Sequence, residues 1–175
     1  LNLFNGILFP HESSFRSHEF VTRKIVIGLT HSKYGSAQPL QLGDLSMRRD
    51  WGSAVDYVDW MYRLISDGEP GDYVFGTGRN TSVEEFLITA AFAMGVQLEK
   101  RGTSKDGIYE YFDLEDGKLY AISDVHKFGA NRFSYGAADA RKLQKVIGVA
   151  TCTSITELAN QMVNQEIVRV TKAAK

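Results

Sequence analysis

The chain has 175 residues, enough for a domain with a sizeable core. It is 43% hydrophobic and 23% charged with a formal net charge of −1, so nothing global points to nucleic acid or an acidic membrane surface, and any anion site must be local. The single cysteine, Cys152, excludes an internal disulfide and a multi-cysteine zinc site, and suits a reducing, cytoplasmic setting.

In chain order, "LNLFNGILF" (1–9) is short and rich in Leu, Ile and Phe, which predicts a strand buried on both faces. A polar loop follows over 10–19. "EFVTRKIVIGLTH" reads as a helix with Phe20, Ile25, Ile27 and Leu29 on its apolar side. "PLQLGD" reads as a short strand ending in a turn. Residues 50–68 put Ala54, Tyr57, Val58, Met61, Leu64 and Ile65 at helical spacing, with Gly68 as C-cap and Pro70 beyond it. Tyr57, Trp60 and Tyr62 on this helix read as core or interface. "DYVFGTG" is the next buried strand. "TSVEEFLITAAFAMG" then opens with Thr81 or Ser82 as N-cap and Glu84 or Glu85 near N3, a capping-box pattern. "GIYEYFDLEDGKLYAISD" alternates on either side of Glu115-Asp116-Gly117 and predicts a hairpin. "AADARKLQKVIG" and "SITELANQMVNQEIVRVTK" predict two closing helices, the second capped by Thr153 or Ser154.

Strands alternating with helices argue an α/β fold. A strand at the first residue, with no helix before it, is an odd start for a doubly wound sheet and reads as the cut end of a larger one. No apolar run approaches ~20 residues, so no transmembrane helix is expected. The N-terminus lacks the basic region and small-residue cleavage site of a signal peptide. His18, His31 and His126 are far apart with no i, i+4 pairing, which argues against a metal site. Cys152 has no nearby His or basic cluster and reads as a small buried hydrophobe.

The order of motifs is more specific than any one of them. "NGILF-HES" at 5–13, "FVTRK" at 20–24, "LGD" at 42–44, "RDWG" at 49–52, "DYV" at 56–58, "TG" at 77–78 with "EF" at 85–86, and "DARK" at 139–142 followed by "VIG" at 146–148 occur in succession. Together they resemble the C-terminal half of the GDP-mannose 4,6-dehydratases, which are extended short-chain dehydrogenase/reductases. The resemblance covers nearly the whole chain, and is loosest through the hairpin. It implies the C-terminal part of a Rossmann-type, doubly wound sheet (about 1–19 and 52–78). A small α/β nucleotide-sugar-binding domain (about 20–51 and 79–175) is interleaved with it. The implied reaction makes GDP-4-keto-6-deoxymannose from GDP-mannose, with NADP taking hydride from C4 of the sugar and returning it to C6 after water is lost.

By the same resemblance His11 and Arg16 contact NADP, and Lys24 and Arg49 hold the GDP diphosphate, with Arg23 and Arg48 as neighbours able to substitute. An Arg fork and a Lys point charge suit phosphate oxygens. Read by themselves, these residues are a solvated loop and exposed basic side chains. Asp50 and Trp51 read as structural, a carboxylate capping the following helix and a buried indole.

Departures from the family pattern matter as much. Pro10 stands where the family has Asn and has no side-chain polar group. In "FGANRFSY" (128–135) the family's Arg-Pro-x-Glu has become Gly129, Ala130 and Arg132 at its three specified positions, so a carboxylate for ribose is replaced by a cation that reaches for phosphate instead. No G-x-G-x-x-G dinucleotide turn is present; "FGTG" at 75–78 has the wrong spacing. The family's Thr/Ser–Glu and Tyr–Lys catalytic pairs precede "NGILF" and have no counterpart. This chain alone is therefore expected to be inactive, with the N-terminal Rossmann half as its missing partner and a homo-oligomer as its assembled state. A non-catalytic nucleotide-sugar-binding or interaction module, or a related NDP-sugar epimerase or reductase, are the competing readings.

Overall fold

The computed structural model describes residues 2–35, 38–127, 136–148 and 152–173. Its first strand, β1 (Phe4–Leu8), pairs in parallel with β6 (Gly71–Phe75), in a register that sets Phe4 against Gly71 and Leu8 against Phe75. Parallel strands need a crossover, and the helix that returns the chain is α2 (Ala54–Asp67). α2 buries Tyr57, Trp60 and Leu64 against β6 and against α4 (Arg141–Ile147), which contributes Leu143 and Ile147. Each such fully buried side chain contributes about 1.5–3 kcal/mol relative to exposure.

A larger core lies elsewhere. Helices α1 (Val21–Tyr34), α3 (Val83–Ala93) and α5 (Ile155–Ala173) pack on one another. The same core takes in residues of a four-stranded sheet ordered β3 (Leu40–Leu42), β10 (Leu119–Asp124), β9 (Ile108–Asp113) and β8 (Leu98–Thr103). β3 runs parallel to β10, and the other two pairings are antiparallel. Ile25, Val26, Leu29, Phe86, Leu87 and Met162 are completely buried there. Two short ladders stitch the linking segments: β2 (His11–Glu12) runs parallel to β5 (Gly52–Ser53), and β4 (Arg48–Arg49) antiparallel to β7 (Thr81–Ser82).

Helix ends follow local chemistry. Ser82 and Glu85 form a reciprocal capping box at α3, while Glu84 is held by Tyr111 and Lys100. At α5 the Glu157 N–H donates to Ser154 Oγ at 3.2 Å and the Ser154 N–H to Glu157 Oε2 at 2.7 Å. Thr153 instead donates to Asp56 on α2. The hairpin turn closes at Gly117, whose φ of +71° is the left-handed conformation that glycine supplies.

Several sequence expectations change. β1 is a strand, but it is not buried on both faces: Ile7 is 52% exposed, because the smaller core packs on the Phe4 side of the strand. On α1, Phe20 precedes the helix and is exposed, and the buried side runs through Ile25, Val26 and Leu29. On α2, Val58 and Ile65 face outward, with Tyr62 at 72% exposure, since only the Tyr57–Trp60–Leu64 side meets β6 and α4. Leu143 and Ile147 of α4, with Cys152 packed against them, join the α2–β6 cluster. β8 has no counterpart in the sequence reading: "LEKRGT" is too charged to stand out, as suits an edge strand.

Candidate functional site

The loop leaving β1 is held from several sides. His11 Nδ1 lies 3.0 Å from the Phe9 carbonyl, and its ring is tilted against Tyr57 with centroids 4.9 Å apart. Pro10 lacks an N–H, yet its carbonyl accepts from Gly52 N at 3.0 Å, which joins β2 to β5. Glu12 is 2% exposed and accepts from Thr22 Oγ1 at 2.8 Å, with Arg16 Nε 3.4 Å from the same carboxylate oxygen. Burial pushes the Glu12 pKa up, and the Thr22 hydroxyl, Arg16 and His11 oppose the shift. The Arg16 guanidinium lies 3.4 Å from the centre of the Phe20 ring, and its buried Nε has no hydrogen-bond partner among the described residues. His11 and Arg16 thus meet around one buried carboxylate.

The far end of the loop is tied to α5. Arg169 Nη1 donates to the Ser14 carbonyl at 2.8 Å and lies 3.2 Å from Glu166 Oε2. The same Glu166 oxygen takes Arg23 Nη2 at 2.5 Å, both side chains being buried. Arg23 is therefore committed to a buried ion pair and is not a substitute for Lys24. A cavity of about 500 Å³ opens beside this loop, between Ser13, Phe15, Ser53, Leu158 and Met162.

Lys24 lies on α1 beside β3, where its Nζ donates to the Gln41 carbonyl at 2.7 Å. Lys127 Nζ reaches Gln41 Oε1 at 3.4 Å. Burial, and then the nearby Lys127 charge, lowers the Lys24 pKa. Arg49 sits in the β4–β7 ladder opposite Thr81, and its Nη1 donates to the Arg48 carbonyl at 2.8 Å. Arg48 donates to Asn80 O at 2.6 Å and pairs with Glu85 at 3.2 Å. Arg132, with Gly129 and Ala130, lies outside the described residues.

Asp50 does not cap α2. It is completely buried, and Oδ1 accepts from Thr77 N at 3.0 Å and Thr77 Oγ1 at 2.5 Å. Oδ2 accepts from Gly78 N and Ala138 N, both at 2.9 Å. Trp51 is buried against Phe86, with ring centroids 5.8 Å apart. The Tyr57 hydroxyl is buried without a hydrogen-bond partner among the described residues, and burial, with Asp50 next, raises its pKa. Cys152 is half-buried at the edge of the smaller core, where desolvation raises its thiol pKa. Sequence reasoning missed Glu12, Glu166 and Arg169 as parts of this site. Glu12 lay within the quoted "HES", but nothing local marked residues 166 and 169.

Residues 1–162 match the family model described as GDP-mannose 4,6 dehydratase. The chain belongs to the GDP-mannose 4,6-dehydratase family. It is 38% identical over 164 residues to GDP-mannose 4,6-dehydratase of Sinorhizobium fredii, covering 93% of this chain and 46% of that protein. It is 32% identical over 168 residues to the human GDP-mannose 4,6 dehydratase, covering 95% and 45%. The chain thus spans about half the length of the curated relatives it matches.

Among solved structures, the fold is similar to RMD from Pseudomonas aeruginosa complexed with NADPH, with TM-score 0.75 and 17% identity over 96% of this chain and 48% of that one. It is also similar to dTDP-glucose 4,6-dehydratase from Bacillus anthracis in complex with NAD, with TM-score 0.65 and 16% identity over 97% and 45%. At these identities the likeness establishes the fold, which is α/β and Rossmann-type.

Proposed function

We propose that this chain is the C-terminal, nucleotide-sugar-binding part of a lyase that converts GDP-mannose into GDP-4-keto-6-deoxymannose, a step toward GDP-fucose. In such an enzyme the catalytic Thr/Ser–Glu and Tyr–Lys pairs belong to the N-terminal Rossmann half, and the residues of this chain bind and orient the nucleotide sugar. The observation that carries this reading is the 38% identity to a GDP-mannose 4,6-dehydratase over 93% of the chain. Lys24 and Arg49 bind the diphosphate, and Arg132 adds a third cation.

The cofactor is NADP, held by His11 and Arg16. The fit is chemical: the part-exposed Arg16 guanidinium brings positive charge to the loop leaving β1, where a dinucleotide's phosphates would lie, and His11, held at Phe9 through Nδ1, packs beside it. When bound, NADP supplies the hydride acceptor. The enzyme works in the cytoplasm as a homo-oligomer; the lone Cys152 and the exposed apolar side of α2 support this.

GDP titration tests the site directly. Arg49→Ala is expected to weaken GDP binding by roughly 1.5–3 kcal/mol, the size of a charge-assisted hydrogen bond. An unchanged titration would remove Arg49 from the site.

A further inference from the structure

Arg49 sits on a ladder only two residues long, too short to fix a side chain by itself. The next residue does the fixing. Asp50 is a completely buried carboxylate whose two oxygens accept four donors from two separate segments. Thr77 and Gly78 belong to the turn leaving β6, and Ala138 belongs to the stretch between 128–135 and α4.

The surroundings are shaped for this contact. A Cβ on Gly76 would fall 2.2 Å from the Ala138 Cβ, so only glycine lets the 136–140 stretch approach the end of β6. Gly78 has φ +73°, the left-handed conformation that glycine supplies at this turn, and its N–H donates to the carboxylate beside that of Thr77. On the other side Trp51 inserts into the larger core, while β6 belongs to the smaller one. Asp50 therefore lies on the seam between the two cores and joins them.

We propose that Asp50 is a positioning residue for the diphosphate site, holding Arg49 and the 136–140 stretch in one frame so that anion binding depends on Asp50 through Arg49. This rests on the reading of Arg49 given above. An asparagine at position 50 is isosteric, but its amide group would face two N–H donors with a donor of its own. The frame would loosen without removing any group that touches the ligand.

The test is a double-mutant cycle in the protein as it exists, read by GDP titration at fixed ionic strength, with circular dichroism as a control for folding. Asp50→Asn is expected to weaken GDP binding about tenfold or more where Arg49 is present, and to change it little in an Arg49→Ala background. An equal loss in both backgrounds, or no loss in either, overturns the proposal, because a purely structural effect would not depend on Arg49. If Asp50→Asn fails to fold, Thr77→Val removes the hydroxyl that donates to Asp50 and accepts from Arg79 N, and the same non-additivity at smaller amplitude is expected; additivity overturns the proposal there too. Arg49→Ala without effect on GDP sinks the diphosphate reading itself. An effect of Arg49→Ala with none from Asp50→Asn sinks only the positioning role.

Discussion

Glu12 shows how one residue couples the cofactor loop to stability. Its carboxylate is buried beside Thr22 and Arg16, yet burial outweighs both and raises its pKa above the ordinary 4.5. A raised carboxyl pKa means that folding favours the protonated form. That contribution is fully present below the ordinary value and is lost as pH rises through the folded value. Glu12→Gln, which keeps an acceptor for Thr22, is therefore expected to melt above the parent chain near neutral pH. The gap should narrow as pH falls below the ordinary carboxylate range. Midpoints of helical circular dichroism across pH would check this; a glutamine variant that melts lower at neutral pH would mean that the Arg16 contact outweighs burial.

At the scale of elements, α3 is the best-specified piece of the chain. Ser82 Oγ accepts from Glu85 N at 3.0 Å, and Glu85 Oε2 accepts from Ser82 N at 2.6 Å. The backbone N–H of Ser82 is the main reason that the Glu85 pKa is lowered, with burial opposing and Arg48 assisting. A lowered carboxyl pKa contributes stability above the ordinary range that is lost as pH falls through the folded value. Ser82→Ala is expected to weaken the start of α3 by about 1 kcal/mol, which speeds amide exchange at Glu85 roughly fivefold. Amide exchange followed by mass spectrometry would read it, and unchanged protection would show that core packing alone holds the first turn. The helix is otherwise anchored by Phe86, Leu87 and Ala90, all fully buried.

At the scale of the molecule, one side stays apolar and uncovered. Val55, Val58, Tyr62 and Ile65 line the outer side of α2, and Leu3, Ile7 and Leu8 are exposed on and beside β1. Between them lies an apolar cavity of about 240 Å³, lined by Phe4, Leu8, Met61, Leu64, Ile65 and Phe75. An apolar side next to a strand edge that is unpaired among the described residues favours association. The chain by itself is expected to sediment as concentration-dependent oligomers and to melt broadly, and Val58→Lys with Tyr62→Lys should shift it toward monomer. A sharp two-state melt of a monomer would overturn this expectation.

The helices, the caps of α3 and α5 and the hairpin were legible in the sequence because their causes are local. The 3.6-residue period, Ser–x–x–Glu at residues 82 and 154, and Glu-Asp-Gly at 115–117 all act within a few residues of themselves. The order of motifs also carried the family, since motif spacing survives in the chain however it folds. Tertiary structure decided what depends on distant neighbours. Asp50 finds donors 27, 28 and 88 positions away, and Arg23 finds Glu166 143 positions away, so neither partner left a mark near its mate. The same holds for burial on α2: Trp60 is covered and Val58 is not, because a helix apolar around much of its circumference is sorted only by which side meets β6 and α4.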